Sequence, residues 1–457
     1  MLATLAVVAV TFHINSPDQY TYLGYTDGLQ QGRYTYWATF ADYLPDTFRN
    51  PGYPLFLLLL KQLGMGVAGM RVVQIGLYAA TIGIVLHLAR RCEQPGSWLV
   101  RNLFLLLLLP NVQMAYFAAV IYPEILVVFL LAAYTGVALT WASGTWRRTV
   151  TLALLAGLIF QVRPIFIFFP ALHLAVDFWH ARPHFAWGQA VGLLALFGAT
   201  MLPYAAWNHH HHGVWKPTSL EGGAGVTQLG FWALRLPGYK DSHYWTTQMG
   251  NEVVQFVDPA EVPGYIAAYN QEWDTIEAQC RPFLSARDRH YMPLMAQQPL
   301  LFPTYSSAYT LQREHLLMQY NVAHIRQEPL YYLKTRLYTL VRLWVTGVQR
   351  DAWQAATTPV AKLKVLYPAL VSGFTFLLAL VSITWAGLRA RLSCRPTWWL
   401  SLALVMYFGV MHLPFAIQAR YTVPVRPWLL LATALALAAW LTRRLHAPAR
   451  ANVVEEG

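Results

Sequence analysis

Residues 103–109 read Leu-Phe-Leu-Leu-Leu-Leu-Leu, preceded by Arg101-Asn102 and closed by Pro110. Seven apolar residues in a row show none of the alternation that a lipid-facing barrel strand requires. They fit a helix that is apolar all round, and such a helix needs an apolar surrounding. The rest of the chain points the same way. Of 457 residues, 56% are hydrophobic and 12% charged, about half the usual charged share. A spanning helix takes about 20 mostly apolar residues. Segments 69–89, 103–119, 123–142, 186–207, 365–388, 397–415 and 425–442 meet or approach that length. In lipid a backbone must satisfy its own hydrogen bonds, so each is read as a helix.

A net charge of +12 raises the question of nucleic acid, and the placement of the charges answers it. Arg90, Arg91 and Arg101, then Arg147 and Arg148, Arg182, then Arg389, Arg391 and Arg395, and finally Arg443, Arg444 and Arg450 all fall in short breaks between apolar segments. Lys/Arg excess marks cytoplasmic loops, and these five breaks alternate along the chain as one topology demands. Membrane lipid, not nucleic acid, is the expected partner. Cys92 and Cys394 then lie on the cytosolic side and Cys280 on the other, so no disulfide framework is expected. Met1–Ile14 is apolar with no basic leader, and reads as a first span better than as a cleaved signal.

The expected fold is an all-α polytopic membrane protein of about ten transmembrane helices with an extracytoplasmic loop domain. Its parts are an N-terminal transmembrane module (1–207) with a first outer loop (14–50), an extracytoplasmic domain with an interfacial helix (208–348), C-terminal transmembrane helices (349–442) and a cytosolic tail (443–457). Within these, 55–63 is too short to span and reads as re-entrant or interfacial, and 149–162 and 165–179 are short helices flanking Arg163-Pro164. The segment 331–348 is amphipathic, with Lys334 and Arg336 placed to meet anionic headgroups. Four histidines in succession, His209–His212, lack the spacing of a one-face metal site and read as an exposed tract.

On this topology the outer ends of the helices collect acids at Asp18, Asp27 and Glu124 and bases at Arg49, Arg163 and Arg420. Ionisable residues at membrane depth are costly and mark function. Each has a plainer reading too. Asp18 after Pro17, and Glu124 after Pro123, suit the first turn of a helix. Asp27 suits a solvated loop, Arg163 and Arg420 suit helix ends, and Arg49 suits loop packing.

Several motifs go further. Ser16-Pro17-Asp18-Gln19-Tyr20, Gly32-Arg33-Tyr34 and Arg49-Asn50-Pro51-Gly52-Tyr53-Pro54 stand in the first outer loop. Tyr122-Pro123-Glu124, Arg163-Pro164, Ser219-Leu220-Glu221-Gly222-Gly223 through Gly230, and Arg420-Tyr421-Thr422-Val423-Pro424 follow in order. Together these resemble the glycosyltransferase C superfamily, which includes protein O-mannosyltransferases and lipid A aminoarabinose transferases. The resemblance implies an inner-membrane enzyme that moves a sugar from a polyprenyl-phosphate donor to a lipid, glycan or protein acceptor on the extracytoplasmic side. It implies Asp18 as general base, with Asp27 as competitor, and Glu124 as a second acid that orients the acceptor or a divalent cation. Arg420 with Tyr421, then Arg163 and Arg49, are the implied ligands of the donor phosphate, since guanidinium forks match phosphate oxygens. Whether a metal takes part is left open.

Two rival functions fit a polytopic chain. A lipid or polysaccharide transporter calls for polar residues at mid-membrane and an inverted repeat of spans, and neither is visible. A polymerase or ligase using a diphosphate-linked donor is nearer in chemistry; the single-Asp first loop and the large late loop favour a monophosphate donor.

Overall fold

A computed structural model describes residues 17–93, 98–181, 185–236, 256–298, 301–389, 395–416 and 419–445. The expected first span at Met1–Ile14, Cys394 and the chain after residue 445 lie outside them. The described residues hold nineteen α-helices, three 3-10 turns and no strand. The first six are α1 (Pro17–Gln30), α2 (Gly52–Gln62), α3 (Val67–Arg91), α4 (Leu99–Leu108), α5 (Val112–Ala118) and α6 (Glu124–Thr140). Next come α7 (Trp146–Val162), α8 (Phe169–Ala181), α9 (Trp187–Ala199) and α10 (Leu202–His212). A group of mostly polar helices follows: α11 (Ala224–Trp232), α12 (Val262–Cys280), α13 (Ala286–Ala296), α14 (Ser307–Gln327) and α15 (Pro329–Trp344). The chain closes with α16 (Arg350–Ala355), α17 (Pro359–Arg389), α18 (Arg395–His412) and α19 (Arg426–Leu445).

Among the described residues, four helices are long and apolar enough to cross a membrane: Val67–Arg91, Trp187–His212, Pro359–Leu388 and Arg420–Arg443. The pair α4 and α5, which bend by 71° at their junction, makes a fifth if counted as one broken span. The sequence reads that pair as one helix over 103–119. Pro110 breaks it, because proline has no N–H to donate and its ring crowds the preceding turn. Asn111 repairs the break by donating to Leu107 O at 2.7 Å. Shorter apolar helices occur at Glu124–Thr140 and Pro164–His180. Leu363, Leu370, Phe374, Leu377 and Leu380 stand exposed along α17. Apolar surface of that extent is incompatible with water and at home in lipid. The protein is a multi-pass, all-helical membrane protein.

Helices α6 and α19 occupy the middle. Ile125, Val127, Val128, Leu131 and Ala132 of the first are buried, as are Trp428, Leu430, Leu431, Ala432 and Ala436 of the second. Around them α3 and α7 pack on α6, while α4, α17 and α18 pack on α19. Arg90 and Arg91 end α3, Arg147 and Arg148 begin α7, and Arg443 lies near the end of α19. Arg163 follows the other end of α7, Arg420 precedes the other end of α19, and Glu124, paired with Arg163, begins α6. The charges therefore sort to two ends of the bundle, as the sequence implies.

Two readings change. Much of 14–50 is read as loop, yet Pro17–Gln30 is helical: proline's fixed φ suits a first turn, and Asp18 there complements the helix dipole. Arg336, read as a headgroup ligand, is buried instead. It donates to Gly230 O at 2.7 Å and to Leu413 O, clamping α15 to α11 and to the end of α18.

Helix α2 approaches α7 very closely. A Cβ on Gly52 would sit 2.6 Å from the carbonyl carbon of Gln161 and 2.8 Å from the Val162 nitrogen. Backbone atoms cannot step aside as a side chain can. Gly52→Val is expected to destabilise the protein by about 1–3 kcal/mol, measured as a lowered Tm of purified protein. An unchanged Tm would show that the contact relaxes freely.

Candidate active site

The site is assembled at one end of the bundle by five charged residues from five places in the chain. Asp18 lies in the first turn of α1. Arg49 lies just before α2, and its aim is set by the turn that precedes it. The Asp46 carboxylate accepts the N–H groups of Phe48 at 3.1 Å and Arg49 at 2.9 Å. The Arg49 carbonyl accepts the hydroxyls of Tyr34 at 2.9 Å and Tyr204 at 2.8 Å. So fixed, the Arg49 guanidinium pairs with Asp18 and lies over the rings of Phe48 and Tyr22.

Glu124 begins α6 and is fully buried. Arg163 follows the end of α7, where the chain leaves the helix for the 3-10 turn Pro164–Phe166, and it pairs with Glu124. Arg420 lies in the 3-10 turn Ala419–Val425 that leads into α19. It reaches both acids, at 2.5 Å from Asp18 and 3.9 Å from Glu124. The result is a continuous chain of charge: Arg49, Asp18, Arg420, Glu124, Arg163. Three guanidinium groups against two carboxylates leave one positive charge in excess.

Tyrosines wall this cluster. Tyr122 lies under Arg420 at 5.0 Å, and Tyr421 lies 5.8 Å from both Arg420 and Arg163. His412 of α18 stands behind Tyr421, 5.3 Å between ring centroids. The Nε atoms of Arg49, Arg163 and Arg420 and one oxygen of Glu124 are buried without a hydrogen-bond partner. Buried polar groups are seldom left so, and here three cationic donors keep capacity to spare.

Burial by itself raises the Asp18 carboxyl. The Arg420 and Arg49 charges outweigh it and hold the group down at about 2. Asp46 is the opposite case. Burial pushes it up to about 7, although Tyr25 donates to it at 2.6 Å and two backbone N–H groups add to that. A carboxyl whose folded value is raised binds its proton more tightly folded than unfolded. Its contribution to stability is therefore complete below about pH 4 and disappears as pH rises through about 7. Asp46→Asn is expected to flatten that part of the Tm-versus-pH curve. A mutant curve with the wild-type slope would show that Asp46 does not titrate there.

The structure brings Asp18, Glu124, Arg49, Arg163, Arg420 and Tyr421 together. Asp27 stands apart: it lies nine residues along α1, its side chain 57% exposed and paired with Lys61 at 2.5 Å. Nine residues at about 100° each put the two acids on opposite faces of α1, and exposure agrees. The histidine tract is the last turn of α10, not a free loop, with His212 Nε2 2.9 Å from Asp46 O and His209 stacked on Trp215. Tyr122 stands in a motif the sequence shows, but nothing in the sequence distinguishes Tyr22 among 26 tyrosines or Asp46 among the loop acids. Among the described residues no three His, Cys, Asp or Glu converge. Asp18 and Glu124 already face three guanidinium groups, a donor set that does not suit a divalent cation.

The structure also holds an apolar cavity of about 710 Å³. Leu55, Leu59, Leu126, Leu130 and Leu158 line it, together with Pro51, Gly52 and Val162. None of the five charged residues lines it, but Pro51, Gly52 and Val162 are close chain neighbours of Arg49 and Arg163.

No family model matches this chain, and no curated protein matches it. Two solved structures do. One is ArnT from Cupriavidus metallidurans bound to undecaprenyl phosphate, 11% identical, covering 96% of this chain and 77% of that chain with a TM-score of 0.37. The other is the same protein in the apo state, 13% identical, covering 96% and 75%, also at 0.37.

Proposed function

We propose that this protein is an integral membrane glycosyltransferase that moves a sugar from a polyprenyl-phosphate donor to an acceptor hydroxyl or amine on the extracytoplasmic side of the membrane. The observation that carries this reading is the arginine-rich cluster, together with an apolar cavity lined by chain neighbours of Arg49 and Arg163. A long prenyl chain with a phosphate at one end needs an apolar groove that ends in cations. Planar guanidinium forks suit phosphate oxygens better than ammonium groups do, and all three cations are arginine. The extracytoplasmic placement follows from the Lys/Arg excess at the opposite end of the bundle. Transport is less well served, because the charges sit at helix ends and not at mid-membrane.

The chemistry follows from the groups present. The acceptor oxygen or nitrogen attacks the anomeric carbon, and a new bond forms there. The bond from that carbon to the phosphate oxygen breaks, and its electron pair leaves with polyprenyl phosphate. Arg420, Arg163 and Arg49 stabilise the negative charge that develops on the leaving phosphate. Asp18 takes the proton from the acceptor. With its carboxyl held at about 2 by two arginines, Asp18 is a weak base before substrate binds. Donor phosphate competes for those same guanidinium groups, and each one drawn away restores basicity to Asp18. Donor binding thus prepares the base, and donor is expected to bind before acceptor.

Mass spectrometry of lipid retained by the purified protein tests the donor class. A retained polyprenyl phosphate, or its glycosylated form, is the expected result. Retention of bulk phospholipid only, together with no release of polyprenyl phosphate from added polyprenyl-phosphate sugar, would overturn the reading.

A further inference from the structure

A second cavity, of about 430 Å³, lies between the first outer segment and the α11–α14 group. Phe48 lines this cavity, Pro51 and Gly52 line the apolar one, and Arg49, which lies between them in the chain, has its guanidinium on Asp18. Both cavities are thus lined by chain neighbours of the arginine that holds the candidate base.

Their linings differ. Tyr269 and Trp273, one turn apart on α12, both line the cavity, their rings close to parallel at 23° with centroids 6.4 Å apart. Phe48 and Phe302 form a second pair at 5.0 Å. At the polar part, Arg313 donates to Glu221 at 2.8 Å, and Thr47 donates to the other Glu221 oxygen at 2.6 Å. Glu314 accepts the Ala224 N–H at 3.2 Å. These contacts fix the three charged side chains, yet a carboxylate offers about four acceptor sites and a guanidinium five donors, so each retains capacity. Flat ring faces beside oriented carboxylate and guanidinium groups are what a sugar ring needs: its C–H face packs on the ring, and its hydroxyls both donate and accept. A bare lipid chain has no use for the charged group, and a phosphate would be repelled by two carboxylates against one arginine. A volume of this size falls within the usual range for small-molecule sites, about 300–1,000 Å³.

We propose that this cavity is a saccharide site and that, on the reaction proposed above, it holds the acceptor. The acceptor class is then a glycan or glycolipid headgroup. It enters on the Phe48 side of Arg49 while the donor lipid lies on the Pro51 side. The inference rests on the glycosyltransferase reading only for the word acceptor; the saccharide site stands on its own lining.

The experiment uses full-length protein in lipid nanodiscs and saturation-transfer NMR with maltose, cellobiose and N,N′-diacetylchitobiose as probes. Two variants address the cavity. Trp273→Ala removes one ring. Gly225→Leu fills the space, and its Cβ meets only Leu317 Cδ1 at 3.8 Å, so no backbone clash opposes it. Polyprenyl phosphate binding is measured on the same samples by native mass spectrometry. Expected is binding of at least one disaccharide, weakened about ten-fold by Trp273→Ala and abolished by Gly225→Leu, with polyprenyl phosphate binding unchanged in both. Absence of saccharide binding to the wild type, or binding indifferent to both variants, would overturn the site even if polyprenyl phosphate binds. Saccharide binding that both variants reduce, in protein that never takes polyprenyl phosphate, would support the site and remove the donor reading instead.

Discussion

Asp18→Asn is expected to lower turnover by about 10²–10⁴-fold, the usual contribution of a general base, in protein that still folds. Asparagine is nearly isosteric, and its carbonyl oxygen still accepts from Arg49 or Arg420. What is lost is a carboxylate able to take a proton. A merely structural Asp18 predicts a different result, since its replacement would lower Tm and leave the turnover of the surviving folded fraction intact. The pH profile separates the roles further. The acid limb of kcat/KM for the donor reports the free enzyme, where the arginines hold Asp18 at about 2. The acid limb of kcat reports the bound complex, where phosphate has drawn guanidinium groups away. The second limb is therefore expected at higher pH than the first. Coincident limbs would sink the idea that donor binding prepares the base. Near-wild-type turnover in well-folded Asp18→Asn protein would remove Asp18 from the reaction altogether.

The sequence reveals the membrane and the candidate charges for one physical reason. Lipid penalises ionised side chains so strongly that the few present near span ends stand out. Asp18, Asp27, Glu124, Arg49, Arg163 and Arg420 are visible on that ground. Their pairing was not visible. Nothing local says that Arg420 reaches an acid 402 positions earlier in the chain, or that it is shared with Glu124; that depends on α1, α6 and α19 meeting at one end. Asp27 stands as the competitor to Asp18 in the sequence, and its place on the opposite face of α1, exposed beside Lys61, removes it from the cluster. Arg336 misled in the other direction. An arginine on an amphipathic helix reads as a headgroup ligand, but three carbonyls from distant segments claim it. Asp46 shows the same limit from the side of order: its Asx turn aims Arg49, and no spacing rule marks it.

Arg420 offers the second large effect, because it reaches both acids. Arg420→Ala leaves Asp18 with Arg49 alone and Glu124 with Arg163 alone. Removing one partner of a largely buried ion pair costs about 3–5 kcal/mol, and Arg420, with 17% of its side chain exposed, should fall toward the lower end. That variant is expected to lose much of its folded yield, so it cannot by itself separate fold from chemistry. Arg420→Lys can. It keeps the positive charge, and with it most of the stability, but an ammonium cannot span two carboxylates or fork onto a phosphate. Turnover is expected to fall about 10²–10³-fold, the cost of losing one donor aimed at developing negative charge, with donor KM raised and Tm nearly unchanged. Adding Asp18→Asn to Arg420→Lys should then cost far less than the product of the single effects, since groups that act as one unit are not additive. Full additivity would mean that Asp18 and Arg420 serve separate steps. Arg420→Lys with wild-type kcat and donor KM would take the phosphate off Arg420 and leave it as a strut between two acids.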